Sequence, residues 1–334
     1  MADLRAGVIG LGVGRRHIEG FDAHPNCRVA AVCDFDDAAL AGAGRDFPGV
    51  RLCRDANEIL DAPDIDIVGV ASYDSHHFDH VCRAIRSGKH VFAEKPLCQT
   101  ADQLREIRRL LNAYPNVRLS SNLNLRVVPR FRRLKQLVAD GILGELFAAD
   151  ADYNYGRLWK ITEGWRGQEP FYSVVQGGGV HVIDLVRWLA NDEVVEVTAF
   201  GNAIGSRGSG FAGPDLVSAL LRFEKGLIAR ISANFACVYP HFHKVSLYGI
   251  EASFENGLGS GLLYRSRDPN VPPEALHEAY PGDAKHELIP NFLDAILTGI
   301  EPIVSADDVF RAMSICIAVD EAVQRQGKIN VEYV

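Results

Sequence analysis

The side chains best placed to do chemistry follow short apolar runs, where buried strands are expected to end. Glu94 and Lys95 close one such run and are followed directly by Pro96. Turn formers such as Gly or Asn usually close a run of this kind, so a charged pair held by proline stands out. In open α/β sheets, ligands lie beyond the carboxyl ends of the strands. Lys95 is therefore predicted to project toward a ligand, the alternative being an ordinary surface lysine.

A glycine-rich turn follows the first apolar run of the chain. Gly10, Gly12 and Gly14 would allow a tight turn and let backbone N–H groups, with that of Val13 among them, approach a pyrophosphate. The spacing is G-x-G-x-G, because Arg15 takes the position of the third glycine in the stricter G-x-G-x-x-G motif. The turn predicts a dinucleotide site, although glycines also serve ordinary strand–helix turns.

An acid at the end of the second apolar run strengthens this interpretation. Asp34 lies twenty residues beyond Gly14, where a carboxylate would hydrogen-bond the adenosine ribose. The alternative is that Asp34 caps the helix that starts near Asp36. A carboxylate at the ribose repels a 2′-phosphate, which predicts NAD(H) rather than NADP(H). Arg15 and Arg16 would offset that repulsion if they reached the ribose.

A histidine and an acid three residues apart form a third group. His181 and Asp184 could share one face of a helix. Histidine titrates near neutral pH, which suits it to proton transfer. The alternative is a half-buried helix histidine that packs beside Leu185 and Trp188.

Two types of element must position these residues. Up to about residue 120, apolar β-branched runs alternate with helix-like stretches, as in a doubly wound parallel sheet. A capping Ser75 and a terminal Gly88 are expected to bound one helix. The predicted helices are Arg16–Ala23, Asp36–Asp46, Ser75–Ser87 and Ala101–Tyr114.

The pattern changes after Asn122, which predicts domains at 1–122 and 123–334. A helix should begin at Pro129 and end at Gly141. Alternating runs with hairpin spacing then predict a largely antiparallel sheet with helices on one face, including a tight turn at "FEKGLI". The Gly- and Pro-rich segment Glu255–Asp283 is expected to be a lid or a subunit contact, and two helices close the chain.

Composition narrows the classes of function. The chain has 334 residues, with 35 basic and 43 acidic side chains and a net charge of −8. This balance argues against nucleic acid or an anionic membrane as the partner, and no apolar run is long enough for a span. Seven cysteines without a C-x-x-C pair, and no recognisable signal peptide, predict a reducing cytoplasm.

Two motifs together resemble a known family. The segments "GKHVFAEKPL" and "GGGVHVIDLVRWL", with the glycine turn before them, are similar to the glucose–fructose oxidoreductase, inositol dehydrogenase and rhizopine-catabolism (Gfo/Idh/MocA) family. The likeness runs along most of the chain. It implies a Rossmann domain followed by an α/β domain with an open-faced, mainly antiparallel sheet, in dimers or tetramers.

The resemblance also implies roles for individual residues. Lys95 would position substrate and transfer a proton, His181 would be the acid/base, and Asp184 would act beside it. Glu94 and His77 would lie at the cofactor, and Arg126 on the substrate side.

Other candidate residues come from side-chain chemistry. The loop that carries Tyr155, Trp165 and Arg166 mixes aromatic and cationic side chains, which suits sugar binding or an oligomer interface. His76 and His80 have zinc-ligand spacing but lack an evident third ligand, so no metal site is predicted. A second histidine pair, His241 and His243, lies on one strand face and could reach substrate, but a satisfied surface pair is the favoured interpretation.

One position departs from the family pattern. Inositol-dehydrogenase-like members carry Asp four residues before the histidine, where this chain has Gly177. Either the proton relay uses Asp184, a tyrosine or water instead, or the activity differs from that of those members. The sequence thus predicts an NAD-dependent oxidoreductase acting on a hydroxyl of a sugar, cyclitol or sugar derivative. The alternatives are an NAD-dependent glycoside hydrolase and a non-catalytic NAD-binding regulator.

Overall fold

The computed structural model describes residues 3–281 and 287–334, which form two compact units. The described residues of the first unit are 3–124, 287–310 and 334. Those of the second are 125–281 and 311–333. Gly282 and Asp283, the last two residues of the predicted Gly- and Pro-rich segment, lie outside the described residues, as do residues 284–286 of the predicted penultimate helix and its approach.

The first unit contains a parallel sheet of six strands in the order β3-β2-β1-β4-β5-β6. The strands are short, and most of their residues are buried, as expected of a sheet covered on both faces. This confirms the predicted doubly wound sheet. The strands are β1 (Leu4–Ile9), β2 (Cys27–Cys33), β3 (Arg51–Cys53), β4 (Ile67–Val70), β5 (His90–Ala93) and β6 (Leu119–Ser121).

Helices connect these strands, and their ends follow from local sequence. Asp36 caps one helix by accepting hydrogen bonds from the N–H groups of Ala38 and Ala39. Gly88 has a φ of +74° just beyond another helix, as predicted. That helix begins at Asp74, so the expected cap at Ser75 is wrong. The helices are α1 (Gly14–Asp22), α2 (Asp37–Asp46), α3 (Asn57–Leu60), α4 (Asp74–Arg86) and α5 (Ala101–Ala113).

The second unit is built on a nine-stranded sheet in the order β14-β13-β12-β11-β7-β10-β9-β8-β15. Its neighbours pair antiparallel except β7 and β10, which run parallel, so the sheet is mixed but mainly antiparallel. The strands are β7 (Leu146–Asn154), β8 (Val194–Asn202), β9 (Leu216–Phe223), β10 (Ile228–Asn234), β11 (Phe242–Gly249), β12 (Ser253–Asn256), β13 (Gly261–Tyr264), β14 (Glu274–Leu276) and β15 (Ile329–Asn330).

Helices cover one face of this sheet. Alternate residues of β7, such as Ala149 and Ala151, are buried on that face, while Asp150 and Asp152 lie partly exposed on the other. The predicted tight turn is present, since Phe223 donates its N–H to the Leu227 carbonyl across it. The helices are α6 (Pro129–Ala139), α7 (Trp159–Thr162) and α8 (Val180–Ala190), with a π-helical turn (Val175–Gly179) directly before α8.

Two helices close the chain, as predicted. They are α9 (Leu288–Thr298), which belongs to the first unit, and α10 (Ala306–Arg325). In α9, Phe292 packs on Phe92 with ring centroids 5.9 Å apart. This contact explains why a segment late in the chain belongs to the first unit.

Candidate active site

The β1–α1 turn has the glycine geometry that a dinucleotide needs. Gly10 has a φ of +89°, and a side chain there would collide with the backbone of Ala71. Gly14 lets α1 pack on its strand, since a Cβ would lie 3.0 Å from Val8 Cγ1. A Cβ at Gly12 would meet no atom within 4 Å. Two glycines therefore shape the turn, and the third leaves space for a pyrophosphate to approach.

The first turn of α1 and the end of β2 complete the candidate nucleotide site of the first unit. Val13 precedes α1 without a side-chain cap, so the amide donors of the first turn can serve an anion. Asp34 accepts hydrogen bonds from the N–H groups of Leu11 (2.6 Å) and Asp36 (3.0 Å). The helix cap is thus Asp36, and the Asp34 carboxylate faces the glycine turn. Its remaining lone pairs fit a ribose diol.

The Arg15 side chain reaches the C-terminal end of α2. Its guanidinium pairs with Asp46 and lies 5.8 Å from the centroid of the Phe47 ring. Because Asp46 already pairs with Arg15, this guanidinium is not directed at a 2′-phosphate, which agrees with NAD as the cofactor.

Glu94 is clamped from two sides. Its Oε1 accepts a hydrogen bond from Asn122 Nδ2 (2.7 Å) and lies 3.2 Å from His17 Nε2 of α1. Burial opposes ionisation, but the hydrogen bond and charge of His17, the charge of Lys95 and the Asn122 bond hold the pKa of Glu94 well below its usual range. The clamp fixes the backbone that presents Lys95 at the end of β5.

His77 ties together the ends of two neighbouring strands. Its Nδ1 lies 2.6 Å from the Pro96 carbonyl oxygen and its Nε2 lies 3.0 Å from the Ser72 carbonyl oxygen. The Lys95–Pro96 bond is cis. Both ring nitrogens of His77 therefore have protein partners, and its contact with the cofactor stays a prediction.

His181 lies in an aromatic cluster on the covered face of the second sheet. It is buried in the first turn of α8, and its ring stacks on Tyr153 with centroids 6.0 Å apart. Tyr153 in turn contacts Tyr155 (5.6 Å) and Phe235 (5.9 Å). Burial raises the pKa of Tyr153 well above its ordinary value, so its phenol stays neutral. The structure thus brings two predicted site residues, His181 and Tyr155, into one cluster.

The second histidine pair joins the same cluster. His243 is buried, its ring lies 6.3 Å from that of His181, and its Nδ1 lies 2.7 Å from Tyr280 Oη. His241 is exposed and contacts Tyr153 at 5.2 Å. The expectation of a surface pair is therefore wrong for His243, because Tyr280 satisfies the imidazole inside the unit.

Arg126 and Asp184 form a buried ion pair. Arg126 Nε donates to Asp184 Oδ2 (2.9 Å) and Nη2 donates to Oδ1 (2.7 Å), with both side chains almost fully buried. The Arg126 guanidinium also lies 5.8 Å from the Trp188 ring. The pair joins the segment before α6 to α8, the helix that carries His181.

The aromatic loop reaches the cluster through a tyrosine that no motif identified. Arg166 lies over the rings of Trp165 (4.4 Å) and Tyr172 (5.8 Å). Tyr172 packs on Phe235 at 6.1 Å. Trp165, Arg166 and Tyr155 therefore border one aromatic region.

A polar network supports the turn that leads to α8. Asp320 of α10 accepts hydrogen bonds from Ser173 Oγ (2.8 Å) and Gln176 Nε2 (2.9 Å). Burial raises the pKa of Asp320 to about 6, and the two hydrogen bonds oppose that shift. A cavity of about 370 Å³ borders this network and the ring of Tyr172.

Several residues that contact the candidate site residues within each unit were not predicted from the sequence. Packing brings in His17 and Asn122 in the first unit, and Tyr153, Tyr172 and His243 in the second. Of these residues, the sequence could have indicated only His17, because it lies one helical turn after Gly14 on the helix that follows the glycine turn.

The histidine pair on α4 is not part of a metal cluster. Within residues 3–281 and 287–334, no group of three His, Cys, Asp or Glu side chains could hold a metal ion. His76 and His80 stack at 5.9 Å, and Ser72 Oγ lies 3.0 Å from His80 Nδ1. Burial, with the charges of His76 and His77, lowers the pKa of His80 to about 4. In the same described residues, no helix is long and apolar enough to cross a membrane.

Curated relatives match nearly the whole chain. Inositol 2-dehydrogenase 2 of Saccharopolyspora erythraea is 28% identical over 91% of this chain and 85% of its own length. Myo-inositol 2-dehydrogenase of Thermotoga maritima is 25% identical over 99% of both chains.

Solved structures share the fold. Levoglucosan dehydrogenase in complex with NADH has a TM-score of 0.87 at 21% identity and covers 99% of this chain and 100% of its own. Scyllo-inositol dehydrogenase from Lactobacillus casei, with NAD(H) and scyllo-inositol, has a TM-score of 0.83 at 19% identity over 98% and 99%.

Family models match both parts of the chain. The model for the oxidoreductase family with an NAD-binding Rossmann fold matches residues 4–122, and the model for the GFO/IDH/MocA C-terminal domain matches residues 131–255. Together with the glycine turn, Asp34 and the clamped Glu94–Lys95 pair, these matches show that the chain belongs to the Gfo/Idh/MocA family of NAD-binding oxidoreductases.

Proposed function

We propose that this protein is an NAD-dependent dehydrogenase that oxidises a secondary hydroxyl of a sugar, cyclitol or sugar derivative. The observation that carries the proposal is the clamp on Glu94, which ties the backbone directly before Lys95 to α1, the helix that follows the glycine turn. Relatives named inositol 2-dehydrogenase and D-apiose dehydrogenase support a polyhydroxylated substrate.

The chemistry divides between the cofactor and this chain's side chains. Bound NAD⁺ supplies the hydride acceptor. In our proposal Lys95 holds the reacting hydroxyl oxygen and takes part in moving its proton, and His181 is the acid/base that receives it. The buried Tyr153 and Phe235 rings shield His181 from water, and the partly exposed Tyr155 beside them offers a ring face for the C–H surface of a sugar.

Asp184 has a supporting place in this proposal. Both of its oxygens accept hydrogen bonds from Arg126. A carboxylate held in this way keeps α8 in position, and with it the His181 side chain one helical turn before Asp184. Arg126 then supports the site through Asp184, and any direct contact of Arg126 with substrate stays a prediction.

Experiment distinguishes the dehydrogenase from two alternative functions. An NAD-dependent glycoside hydrolase of the same fold would release an aglycone without net NADH. A regulator would bind NADH without turnover and retain a protein partner. The clamp on Glu94 favours the dehydrogenase, because a regulator has no need to fix Lys95.

We place the protein in a reducing cytoplasm as a homodimer or homotetramer. All seven cysteines lie in the described part of the chain and are free thiols. Burial raises the pKa of Cys33 and of Cys82 to about 12, so these thiols stay protonated and unreactive. The exposed face of the nine-stranded sheet is the surface we assign to self-association.

The test is NADH formation from NAD⁺ with pooled cyclitols, aldoses and uronic acids. Lys95→Ala should lower turnover about 100-fold or more while leaving NADH affinity near that of the wild type. Lys225→Ala, at an exposed lysine in the turn between β9 and β10, is the matched control and should match the wild type. Equal turnover in the Lys95→Ala variant would remove Lys95 from the mechanism.

A further inference from the structure

The glycine at position 177 has a specific steric cause. It lies in the π-helical turn that leads into α8, and glycine is one of the least favourable residues inside a helix. A Cβ at Gly177 would overlap the Tyr172 hydroxyl and lie 2.7 Å from Tyr172 Cζ. The Tyr172 phenol therefore fills the volume into which a side chain at 177 would project.

This volume lies next to the proposed acid/base. Residue 177 precedes His181 by four positions, so side chains at the two positions project from neighbouring points of the helical segment. Tyr172 and His181 are both buried. The two rings belong to one aromatic chain, in which Tyr172 packs on Phe235, Phe235 on Tyr153, and Tyr153 on His181. The Tyr172 hydroxyl is thus a polar group placed where a side chain four residues before His181 would project.

The backbone segment that directly follows Tyr172 is held in place. Ser173, the next residue, donates from Oγ to Asp320 and accepts from the N–H groups of Val175 and Gln176. The Gln176 side chain donates to the other oxygen of Asp320. The Asp320 carboxylate therefore anchors both ends of the segment from Ser173 to Gln176, which directly follows Tyr172. Rigid support of this kind is what a substrate-binding hydrogen bond requires.

We propose that the Tyr172 hydroxyl binds one oxygen of the polyol substrate beside His181. This inference rests on the proposed function and adds a residue to it. A phenol is neutral and can both donate and accept a hydrogen bond, whereas a carboxylate can only accept. At this point the site is therefore suited to a neutral hydroxyl or carbonyl oxygen of the substrate.

The first test removes the hydroxyl and keeps the ring. Tyr172→Phe should bind NADH as the wild type does, while kcat/KM for the substrate falls about 10- to 100-fold. Tyr239→Phe, at a partly exposed tyrosine of the same unit, should change neither quantity. A Tyr172→Phe variant with wild-type kcat/KM would overturn the inference.

Monodeoxy substrates supply a readout that a purely structural role would not move. In the wild type, removal of the substrate hydroxyl that Tyr172 binds should lower kcat/KM. In Tyr172→Phe the same deoxy substrate should cause no further loss, because its partner is already missing. Full and equal losses in both proteins for every deoxy substrate would contradict direct contact.

The placement of the phenol has its own test, which needs no turnover. Gly177→Ala should lower the urea-unfolding midpoint in the wild type and leave it unchanged or raised in a Tyr172→Ala background. Equal effects in both backgrounds would show that the phenol does not occupy this volume. If the wild type oxidises no polyol, the proposed function and this inference both fail. If the wild type oxidises a polyol and Tyr172→Phe matches it, this inference alone fails.

Discussion

At the scale of residues, a few side chains set the preference for the cofactor. Asp34 is fixed by the amides of Leu11 and Asp36, so its carboxylate stays at the glycine turn. A fixed negative charge at this point should repel the 2′-phosphate of NADPH and accept the hydroxyls of an NADH ribose.

Replacing that charge should change the choice between the two cofactors. We expect Asp34→Asn to lower the ratio of the NADPH to the NADH dissociation constant about tenfold, since one unit of charge repulsion is removed. Fluorescence titration with each nucleotide measures the ratio. Asp36→Asn loses the same charge two residues away, but Asn still caps α2, so its ratio should stay at the wild-type value. An unchanged ratio in Asp34→Asn would assign the preference to other groups.

The sequence predicted some site residues and not others for a physical reason. Lys95 and His181 are marked by neighbours in the chain, the proline after one and the Asp three residues after the other. Tyr172 and Tyr153 are indicated only by the glycines opposite them, because their rings leave no room for a side chain at Gly177 or Gly178. A Cβ at Gly178 would lie 2.5 Å from Tyr153 Cε1. Such a contact forms only in the folded chain, so the spacing of residues along the sequence does not predict it.

At the scale of elements, the ends of helices were predictable where a glycine or proline sets the backbone conformation. Gly88 and Gly141 have φ values of +74° and +72° just beyond helices that end where expected, and Pro129 begins α6. Strands β3 and β6 have three residues each, too few to show a pattern. The parallel pairing of β7 with β10 joins distant segments, and hairpin spacing predicts only antiparallel neighbours.

The ion pair between Arg126 and Asp184 gives an element-scale prediction. Asp184→Asn leaves a buried guanidinium without its carboxylate, so the free energy of unfolding should fall by about 3–5 kcal/mol. The double variant Arg126→Met with Asp184→Leu should be more stable than Asp184→Asn, because no charge is left buried. All three tryptophans lie in the second unit, so their fluorescence in urea reports its unfolding.

The matched control is an exposed acid-to-amide change. Glu321 pairs with Arg325 on the surface of α10, and Glu321→Gln should cost less than about 0.5 kcal/mol. A loss in Asp184→Asn no larger than in Glu321→Gln would contradict the structural weight given to the buried pair.

At the scale of the whole molecule, the uncovered face of the nine-stranded sheet is the main surface to account for. Leu220 of β9 is 54% exposed and lies opposite Arg230 of β10, which binds Asp150 (2.8 Å) and Asp152 (2.7 Å). Exposed apolar side chains around an ordered ion network are typical of a protein–protein interface. This is why we assign the face to self-association.

A charge on that face should disrupt the oligomer. Sedimentation equilibrium should show a dimer or tetramer for the wild type, and Leu220→Lys should weaken its association at least tenfold, because a lysine there lies opposite Arg230 and must be desolvated. Val238→Lys, at a fully exposed valine outside the sheet, should leave the association unchanged. A monomeric wild type, or an unaffected Leu220→Lys oligomer, would reject the assignment.

The proposed function requires hydride transfer from a polyol carbon to NAD⁺, and isotope transfer measures that step. The protein is incubated with NAD⁺ and pooled cyclitols and sugars that carry deuterium at their hydroxyl-bearing carbons, and the cofactor is analysed by mass spectrometry. We predict one deuterium in each reduced nicotinamide, in an amount equal to the ketone formed. Binding of NAD⁺ with no deuterium transfer from any member of the pool would contradict the account.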